Sequence, residues 1–542
     1  MDWRGITIGQ ALRATARRVP DRTAVVGMGE RISFARLDAE VDRLAAGLLS
    51  LGVRRGDTVA LWMTNCPTWV AIWAAVARIG AVLVPVNTRF KAEEAHYVLT
   101  QSEAKILLMM DRYWSIDYLD MLERIAPGFR GQHPGTLQLV DLPALRSVVV
   151  WNDRAPPGTL ALADLRALGE AKGGLAEAEA VVEADDPVII VYTSGTTGYP
   201  KGAVHSHVVL RNSANIARVL HIEAGDVLLG HMPFYHVAGA FSALLPALML
   251  GGTLITMAHW EPDEALRLVE EERITYISGI PTHFIDLVDA IRRRPRDTSC
   301  LKSAWIGGAA VTPEVVRAAL DQLKLDSLQA VYGMTETTSS TVLSGFDAPL
   351  EIVCDNKGKP IGDFEVKVCD PKTGVARPAG EVGEVWVRGH IVMQGYYKNP
   401  DATNEVMTSD GWFKTGDLGV FDMAGYLKIT GRAKEMFIVG GSNTYPAEIE
   451  RMIQAHPAVK QAVVVGVPDR RLGEVGYAFV ELQVGQTMSA ADLISHCRSS
   501  MADYKVPRYV EFISDFPRTT TGKLQRYVLA ERARGMQQSA VS

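Results

Sequence analysis

The chain predicts an α/β fold in which largely parallel sheets carry helices on both faces. Three observations lead there. Apolar, β-branched runs alternate with segments of helical period; glycine-rich turns follow several of those runs; and about the last hundred residues repeat the scheme on their own. With 542 residues the chain exceeds what one hydrophobic core supports, so two or more domains are expected. The expected architecture is a large N-terminal domain of mostly parallel βα sheets plus a small β-barrel-like unit, followed by a smaller, mobile C-terminal α/β domain.

The elements follow in order. Residues 41–51 have an amphipathic helical pattern, and 58–62 form a strand after the Arg55-Gly56-Asp57 turn. Residues 68–79 are an apolar helix and 81–86 another strand. The run Val188-Ile189-Ile190-Val191 is a strand that opens into YTSGTTGYPKG at 192–202, with helical period resuming over 205–220. Residues 237–258 carry no charge and are long enough to span a bilayer, but Pro246 and Gly251-Gly252 divide them into a buried helix, a turn and a strand. Residues 263–272 are a helix before the strand 275–278, and the strand 303–306 runs into Gly307-Gly308 ahead of a helix from Pro313. In parallel sheets, ligands bind beyond the C-terminal strand ends, where these glycine turns fall. Over 364–388 the pattern changes to short alternating strands, FEVKVCD and GEVWVRG, of antiparallel character. A domain boundary is expected near Gly431-Arg432-Ala433-Lys434. Beyond it come a helix at 446–456, strands at 462–467 and 476–482, a helix at 489–499 and the polar loop PRTTTGKLQR.

Composition limits the function. An apolar fraction of 47% with 22% charged residues is that of a globular enzyme, and a net charge of −6 with a pI near 6.1 excludes a nucleic-acid footprint. Five cysteines, odd in number and without a CxxC pair, argue against disulfides and structural zinc and favour a reducing, cytoplasmic location. The opening MDWRGITIGQ has no apolar core of a signal peptide, and no membrane span is expected.

YTSGTTGYPKG places two hydroxyl pairs, glycines and Lys201 after a strand: approachable backbone N–H groups, hydroxyl donors and a cation, suited to phosphate oxygens. It is not a Walker loop, because Lys201 follows Tyr199-Pro200 and precedes Gly202. YGMTET at 332–337 offers an aromatic face, a hydroxyl and a carboxylate able to hold Mg²⁺. Thr415-Gly416-Asp417 puts a carboxylate in a tight turn, suited to two ribose hydroxyls or to an Asx-turn. His231 and His236 bracket an apolar stretch and read equally as core histidines; Lys523 in a Thr-Gly turn reads alone as a solvated lysine. Their joint occurrence, in this order, is what points to nucleotide chemistry.

With YTSGTTGYPKG, MPFYHVAG, YGMTET, GEVWVRGHIVMQGYY, GWFKTGDLG, GRAKEMFIVGGSNTYPAEIE and PRTTTGK, the chain resembles the adenylate-forming superfamily of acyl-CoA synthetases, adenylation domains and luciferases over nearly its whole length. The resemblance implies an ATP-dependent acid–thiol ligase that forms acyl-AMP and pyrophosphate, then passes the acyl group to coenzyme A. It implies that Thr193, Ser194, Gly195, Thr196, Thr197 and Lys201 hold the β- and γ-phosphates, that Glu336 binds Mg²⁺, and that Thr335 contacts the α-phosphate. Tyr332 with Gly333, and the turn Gly307-Gly308-Ala309, are implied around adenine; Asp417 and Arg432 on the ribose; Lys523 as the catalytic lysine of the C-terminal domain. Lys434 is the implied hinge, Gly440 and Gly441 border the CoA tunnel, and His236 lies where acyl pocket and tunnel meet. The domains implied are 1–431, a hinge at 432–434, and 435–542.

Two positions depart from the family pattern: Ser442 stands where a glutamate is common, and Glu435 where an aspartate is frequent. The acyl pocket implied by analogy is lined by His236, Ala238, Gly239, Phe241, Ala309 and Met334. Its small residues leave room for more than acetate, and no Arg or Lys is placed to meet a second carboxylate. A monocarboxylic fatty or aryl acid is therefore expected. The chain stops just past PRTTTGK without an appended carrier domain, which favours CoA as acceptor. The alternatives are a stand-alone adenylating enzyme that loads a carrier protein, a luciferase-like oxidase lacking the SKL ending, and a non-catalytic nucleotide sensor. A homodimer is the expected assembly.

Overall fold

The computed structural model describes residues 3–541 apart from 153, 171–172, 194–199, 309–310, 434, 440–441, 470, 502 and 519–523. Ser194, Gly195, Thr196, Thr197, Ala309, Lys434, Gly440, Gly441 and Lys523 thus lie outside the described residues. The chain divides into two compact units, one of Met1–Glu365 with Val387–Phe413, the other of Val366–Trp386 with Lys414–Ser542.

The first unit is built on two mixed sheets. In one, the strands Ser327–Tyr332, Ser303–Gly307, Tyr276–Gly279, Val227–Gly230, Thr253–Thr256 and Thr23–Gly27 lie side by side in that order, all parallel. Val342–Leu343 and Glu30–Ser33 pair antiparallel outside them. In the other, Pro187–Thr193, Val82–Pro85, Thr58–Trp62, Ile106–Met109, Ser147–Val150 and Leu160–Ala161 are parallel in that order. Helices cover both faces of such sheets, so the strands read as unbroken apolar runs: all of Thr58–Trp62 and all of Ile106–Met109 are buried. The helix Pro67–Arg78 is apolar on every side for the same reason, being buried along nearly its whole length. Pro67 occupies its first turn, where a missing N–H costs nothing.

One sequence expectation changes here. The phosphate loop was expected to lead directly into a helical segment; instead residues Lys201–Ser206 return as a strand antiparallel to Pro187–Thr193, and the helix starts only at Val209. The run from Lys201 to Ser206 is short and lies against the sheet, so pairing with Pro187–Thr193 satisfies its backbone before the amphipathic pattern can form a helix. The uncharged stretch from 237 behaves as expected: a helix from Val237 to Leu250 with one π-helical turn at Ala240–Leu244, a left-handed Gly251 (φ 80°) as its cap, then the strand Thr253–Thr256. The π turn ends where Pro246, which lacks an N–H, starts the next helical turn. No helix among the described residues is long and apolar enough to cross a membrane.

The second unit contains a sheet ordered Ser442–Thr444, Phe437–Val439, Gly473–Leu482, Val459–Asp469, with Tyr509–Phe512 parallel to Gly473–Leu482. Along Val459–Asp469 the side chains alternate between two cores. Ala462 and Val464 pack with Ile449, Ile453 and Leu493; Val463, Val465 and Val467 pack with Phe516, Leu529 and Ala533. This period of two explains why the sequence shows apolar residues on both phases. The helices are Pro446–Gln454, Ala490–Ser500 and Arg526–Val541. The strands Glu365–Cys369, Gly383–Arg388, Phe413–Phe421 and Leu427–Arg432 run in that order, with the last two antiparallel. They do not close on one another among the described residues, so the small β unit is an open sheet rather than barrel-like. All five cysteines are free.

Candidate active site

The parallel strands Ser303–Gly307 and Ser327–Tyr332 end side by side, with Gly307 in register with Val331. Gly307-Gly308 and Tyr332-Gly333 therefore leave the sheet as neighbours at the edge where parallel sheets bind ligands. Gly333 is required by its surroundings: a Cβ there would lie 1.8 Å from the Ser339 carbonyl oxygen. The chain then folds back through the single turn Thr335–Thr337, and Thr338 (φ 51°) and Ser339 (φ 76°) take left-handed conformations without being glycine. Such strain persists only where neighbours fix it. Here the buried amide of Asn212 donates to the Thr338 carbonyl (3.2 Å), the Thr338 hydroxyl (2.8 Å) and the Ser340 carbonyl (2.9 Å).

Thr335 and Glu336 are buried in this turn, 7% and 9% exposed. His205 Nε2 lies 2.9 Å from the Thr335 carbonyl oxygen. Burial pushes the His205 imidazole down to about 4, so near neutral pH the ring is uncharged and Nε2–H is the donor. The carbonyl of Glu336 accepts from the Met393 N–H at 2.8 Å, and its carboxylate Oε1 accepts from the Tyr396 hydroxyl at 2.8 Å. Tyr396 belongs to a short edge strand, Gly395–Tyr396, paired antiparallel with Lys201–Ser206 in the register Ala203 to Tyr396. Lys201 Nζ sits 5.1 Å from the centre of the Tyr396 ring. Thr193 and Lys201 face each other where the strands Pro187–Thr193 and Lys201–Ser206 pair, with the Thr193 hydroxyl donating to the Lys201 carbonyl at 3.3 Å. The fold thus gathers Thr193, Lys201, Thr335 and Glu336 from two sheets.

The expected acyl-pocket segment adjoins this turn. His236 caps its helix, Nδ1 accepting from the Ala238 N–H at 3.4 Å. Gly239 packs so closely that a Cβ would lie 2.3 Å from the Met232 carbonyl oxygen. Phe241 is fully buried, its ring 5.7 Å from His205 and 6.3 Å from Trp73, so the ring that holds the Thr335 carbonyl also leans on the acyl segment. Met334 packs against Ala203, Met393 and Phe413. His231 is enclosed: its Nε2 is 3.3 Å from His283 Nδ1, its ring 4.8 Å from Trp260, and burial lowers both imidazoles, His283 to about 4.

In the second unit Asp417 and Arg432 are cross-strand partners, and Arg432 Nε lies 3.0 Å from Asp417 Oδ1. Asp417 is buried, and its N–H donates to the Thr415 hydroxyl at 3.0 Å; Thr415-Gly416-Asp417, expected as a tight turn, lies within the strand Phe413–Phe421, which pairs with Leu427–Arg432. Arg526 clamps Glu450 with two contacts of 2.5 and 2.6 Å and reaches Glu435 at 3.3 Å. Burial raises the Glu435 carboxyl above its usual range despite that arginine.

Among the described residues no group of three His, Cys, Asp or Glu is arranged to hold a metal ion. A single buried carboxylate nevertheless suits Mg²⁺, which keeps waters and takes the rest of its oxygens from substrate phosphates. Glu336 has that form. The sequence named Lys201, Thr335 and Glu336, but gave no role to Tyr396, His205 or Asn212. Tyr396 lay inside the string GEVWVRGHIVMQGYY, and His205 four residues beyond Lys201; neither position announces its partner.

The AMP-binding enzyme family matches residues 12–397, and the AMP-binding enzyme C-terminal domain matches 448–523. The protein YngI of Bacillus subtilis (strain 168) is 36% identical, over 97% of this chain and 97% of its own. The mitochondrial medium-chain acyl-CoA ligase ACSF2 of Mus musculus is 35% identical, over 97% of this chain and 87% of its own. The crystal structure of ATP-bound MatB from Rhodopseudomonas palustris superposes with a TM-score of 0.81 at 29% identity, covering 98% of this chain and 100% of that one. The chain belongs to the adenylate-forming, AMP-binding enzyme family.

Proposed function

We propose that this AMP-binding enzyme is an AMP-forming carboxylic acid–CoA ligase acting on a monocarboxylic fatty or aryl acid. The observation that carries the reading is the convergence of Lys201 from one sheet with Thr335 and Glu336 from the other, bridged by Tyr396. In the first half-reaction a carboxylate oxygen attacks the α-phosphorus of ATP; the new O–P bond forms as the bond to pyrophosphate breaks. Two anions must meet, so positioning and charge neutralisation supply most of the rate. Thr193 to Lys201 bind the β- and γ-phosphates, Thr335 the α-phosphate, Tyr332 and Gly307-Gly308-Ala309 the adenine, and Asp417 with Arg432 the ribose. Glu336 would hold Mg²⁺, which when bound would supply positive charge against the phosphates. Lys523 stabilises the charge that builds on the reacting oxygens.

In the second half-reaction the CoA sulfur attacks the acyl carbon. The C–S bond forms, the C–O bond to AMP breaks, and the thiol proton leaves to solvent. In this reading residues 435–542 turn about Lys434 relative to 1–431, withdrawing Lys523 and bringing Gly440-Gly441 to the thiol path near His236. The small residue Ala238 and the name of the mouse relative support a fatty acyl chain; a hydrophobic pocket discriminates weakly per methylene, so several acids are turned over. Five free cysteines support a reducing location, cytoplasmic in this reading although the mouse relative is mitochondrial, and a homodimer is the proposed assembly.

The deciding experiment measures acid-dependent AMP release over a panel of fatty and aryl acids, with and without CoA. AMP and acyl-CoA formed together support the ligase. Acid-dependent pyrophosphate exchange without any response to CoA replaces it with carrier-protein loading, and no acid-dependent turnover replaces it with a nucleotide sensor.

A further inference from the structure

Lys201, on a strand of one sheet, and Glu336, in the turn after a strand of the other, carry opposite charges, yet each meets Tyr396 rather than the other. The reason is in the register. Ala203 pairs with Tyr396, and Lys201, two residues earlier on the same strand, projects from the same face and is the diagonal neighbour of the tyrosine. The ring therefore lies under the ammonium while the hydroxyl, at its far end, reaches the carboxylate.

The backbone around Tyr396 is pinned on every side. Its own N–H donates to the Thr403 hydroxyl at 2.9 Å; the Gln394 N–H donates to the Val204 carbonyl at 2.9 Å and the Tyr397 N–H to the Gly202 carbonyl at 2.8 Å. A direct lysine–glutamate ion pair would have to be broken before a phosphate and a cation could bind. A tyrosine between them keeps both charges oriented and neither neutralised.

We propose that Tyr396 is a positioning residue that couples the phosphate-binding lysine to the cation-binding carboxylate, so that Mg²⁺ and the nucleotide phosphates bind as one unit. This rests on the ligase reading above, and it adds a residue to which neither the motifs nor the family comparison gives a part. The phenol fixes one oxygen of Glu336 and orients the other for the metal; the aromatic face holds Lys201 on the same side.

The test is equilibrium binding of a non-hydrolysable ATP analogue by calorimetry, in Mg²⁺ and in EDTA, beside the two half-reactions assayed separately. Y396F, which loses only the hydroxyl, is expected to bind the Mg²⁺–nucleotide about tenfold more weakly, as fits the loss of one hydrogen bond to a charged group, while its affinity in EDTA stays within twofold of wild type. Y396L, which also removes the aromatic face, is expected to weaken binding in EDTA as well. Thioester formation from supplied acyl-AMP is expected to stay within twofold for Y396F. Because the hydroxyl acts through Glu336, its removal in an E336Q background is expected to add almost nothing. Y396F that binds the Mg²⁺–nucleotide like wild type, or losses that simply add in the double variant, overturn the role of Tyr396. A wild-type protein that binds no ATP overturns the ligase reading itself, and this inference with it.

Discussion

His205 holds the carbonyl of Thr335 from 130 residues away, Nε2 to oxygen at 2.9 Å, while the edge of its ring rests against Phe241. One uncharged imidazole thus braces the turn that carries Thr335 and Glu336, and it packs against the segment expected to meet the acyl chain. A protonated ring there would bury an ion with only a carbonyl to face.

Acid should therefore loosen the fold around this site. The imidazole sits at about 4 in the folded chain against 6.5 when exposed, so between those values the unfolded chain binds the extra proton; stability is full above 6.5 and falls as pH drops toward 4. His207 and His390 are lowered to about 4 by burial as well and steepen the same limb. Urea titrations at pH 7 and pH 5 should show H205Q, which keeps a donor for Thr335, losing about 2 kcal/mol less than wild type across that interval. Parallel losses in the two proteins would remove His205 as the cause.

Asp417 gives a prediction about the nucleotide sugar. Its carboxylate is buried and paired with Arg432, whose Nε lies 3.0 Å from Oδ1. D417N should lower kcat/KM for ATP by about 10- to 100-fold, the worth of a hydrogen bond to a charged group, without raising the KM for the acid. It should also lose the preference for ATP over 3′-deoxy-ATP. Retained discrimination would place the ribose elsewhere.

Lys523 tests the division of labour between the half-reactions. K523A should abolish acid-dependent AMP formation and still make thioester from supplied acyl-AMP, because the developing phosphate charge exists only in the first step. Equal loss of both would sink the role assigned to it.

Arg526 gives a prediction about the second unit alone. It joins Glu435, Glu450 and the Val464 carbonyl, and Glu450 in turn accepts from the Val464 N–H at 2.7 Å. R526Q leaves two carboxylates without their cation and should destabilise that unit by about 3 kcal/mol, seen as cleavage within residues 435–542 by limited proteolysis before any within the first unit. R526K should not restore it, because a single ammonium cannot reproduce the two-pronged contact with Glu450. Unaltered proteolysis of R526Q would make the cluster a surface feature.

Much of this protein is written in short stretches of its sequence. A local pattern reports which residue types stand together and which face of an element is apolar, so the strand Pro187–Thr193, the helix Pro446–Gln454, the interrupted helix before Gly251, and Lys201, Glu336 and Asp417 as chemical groups were all legible. Register and distant pairing were not. That Lys201–Ser206 is a strand rather than the start of a helix, that the small β unit stays open, that Tyr396 reaches Glu336 across 60 residues while its ring meets Lys201, and that His205 meets Thr335 across 130 depend on how sheets align. A slip of one residue would turn Tyr396 to the opposite face and part it from both charges, and no local periodicity encodes which register wins. The sequence determined which chemical groups are present; only the packed sheets decided which of them touch, because that choice is made by the summed burial and hydrogen bonding of strands far apart in the chain.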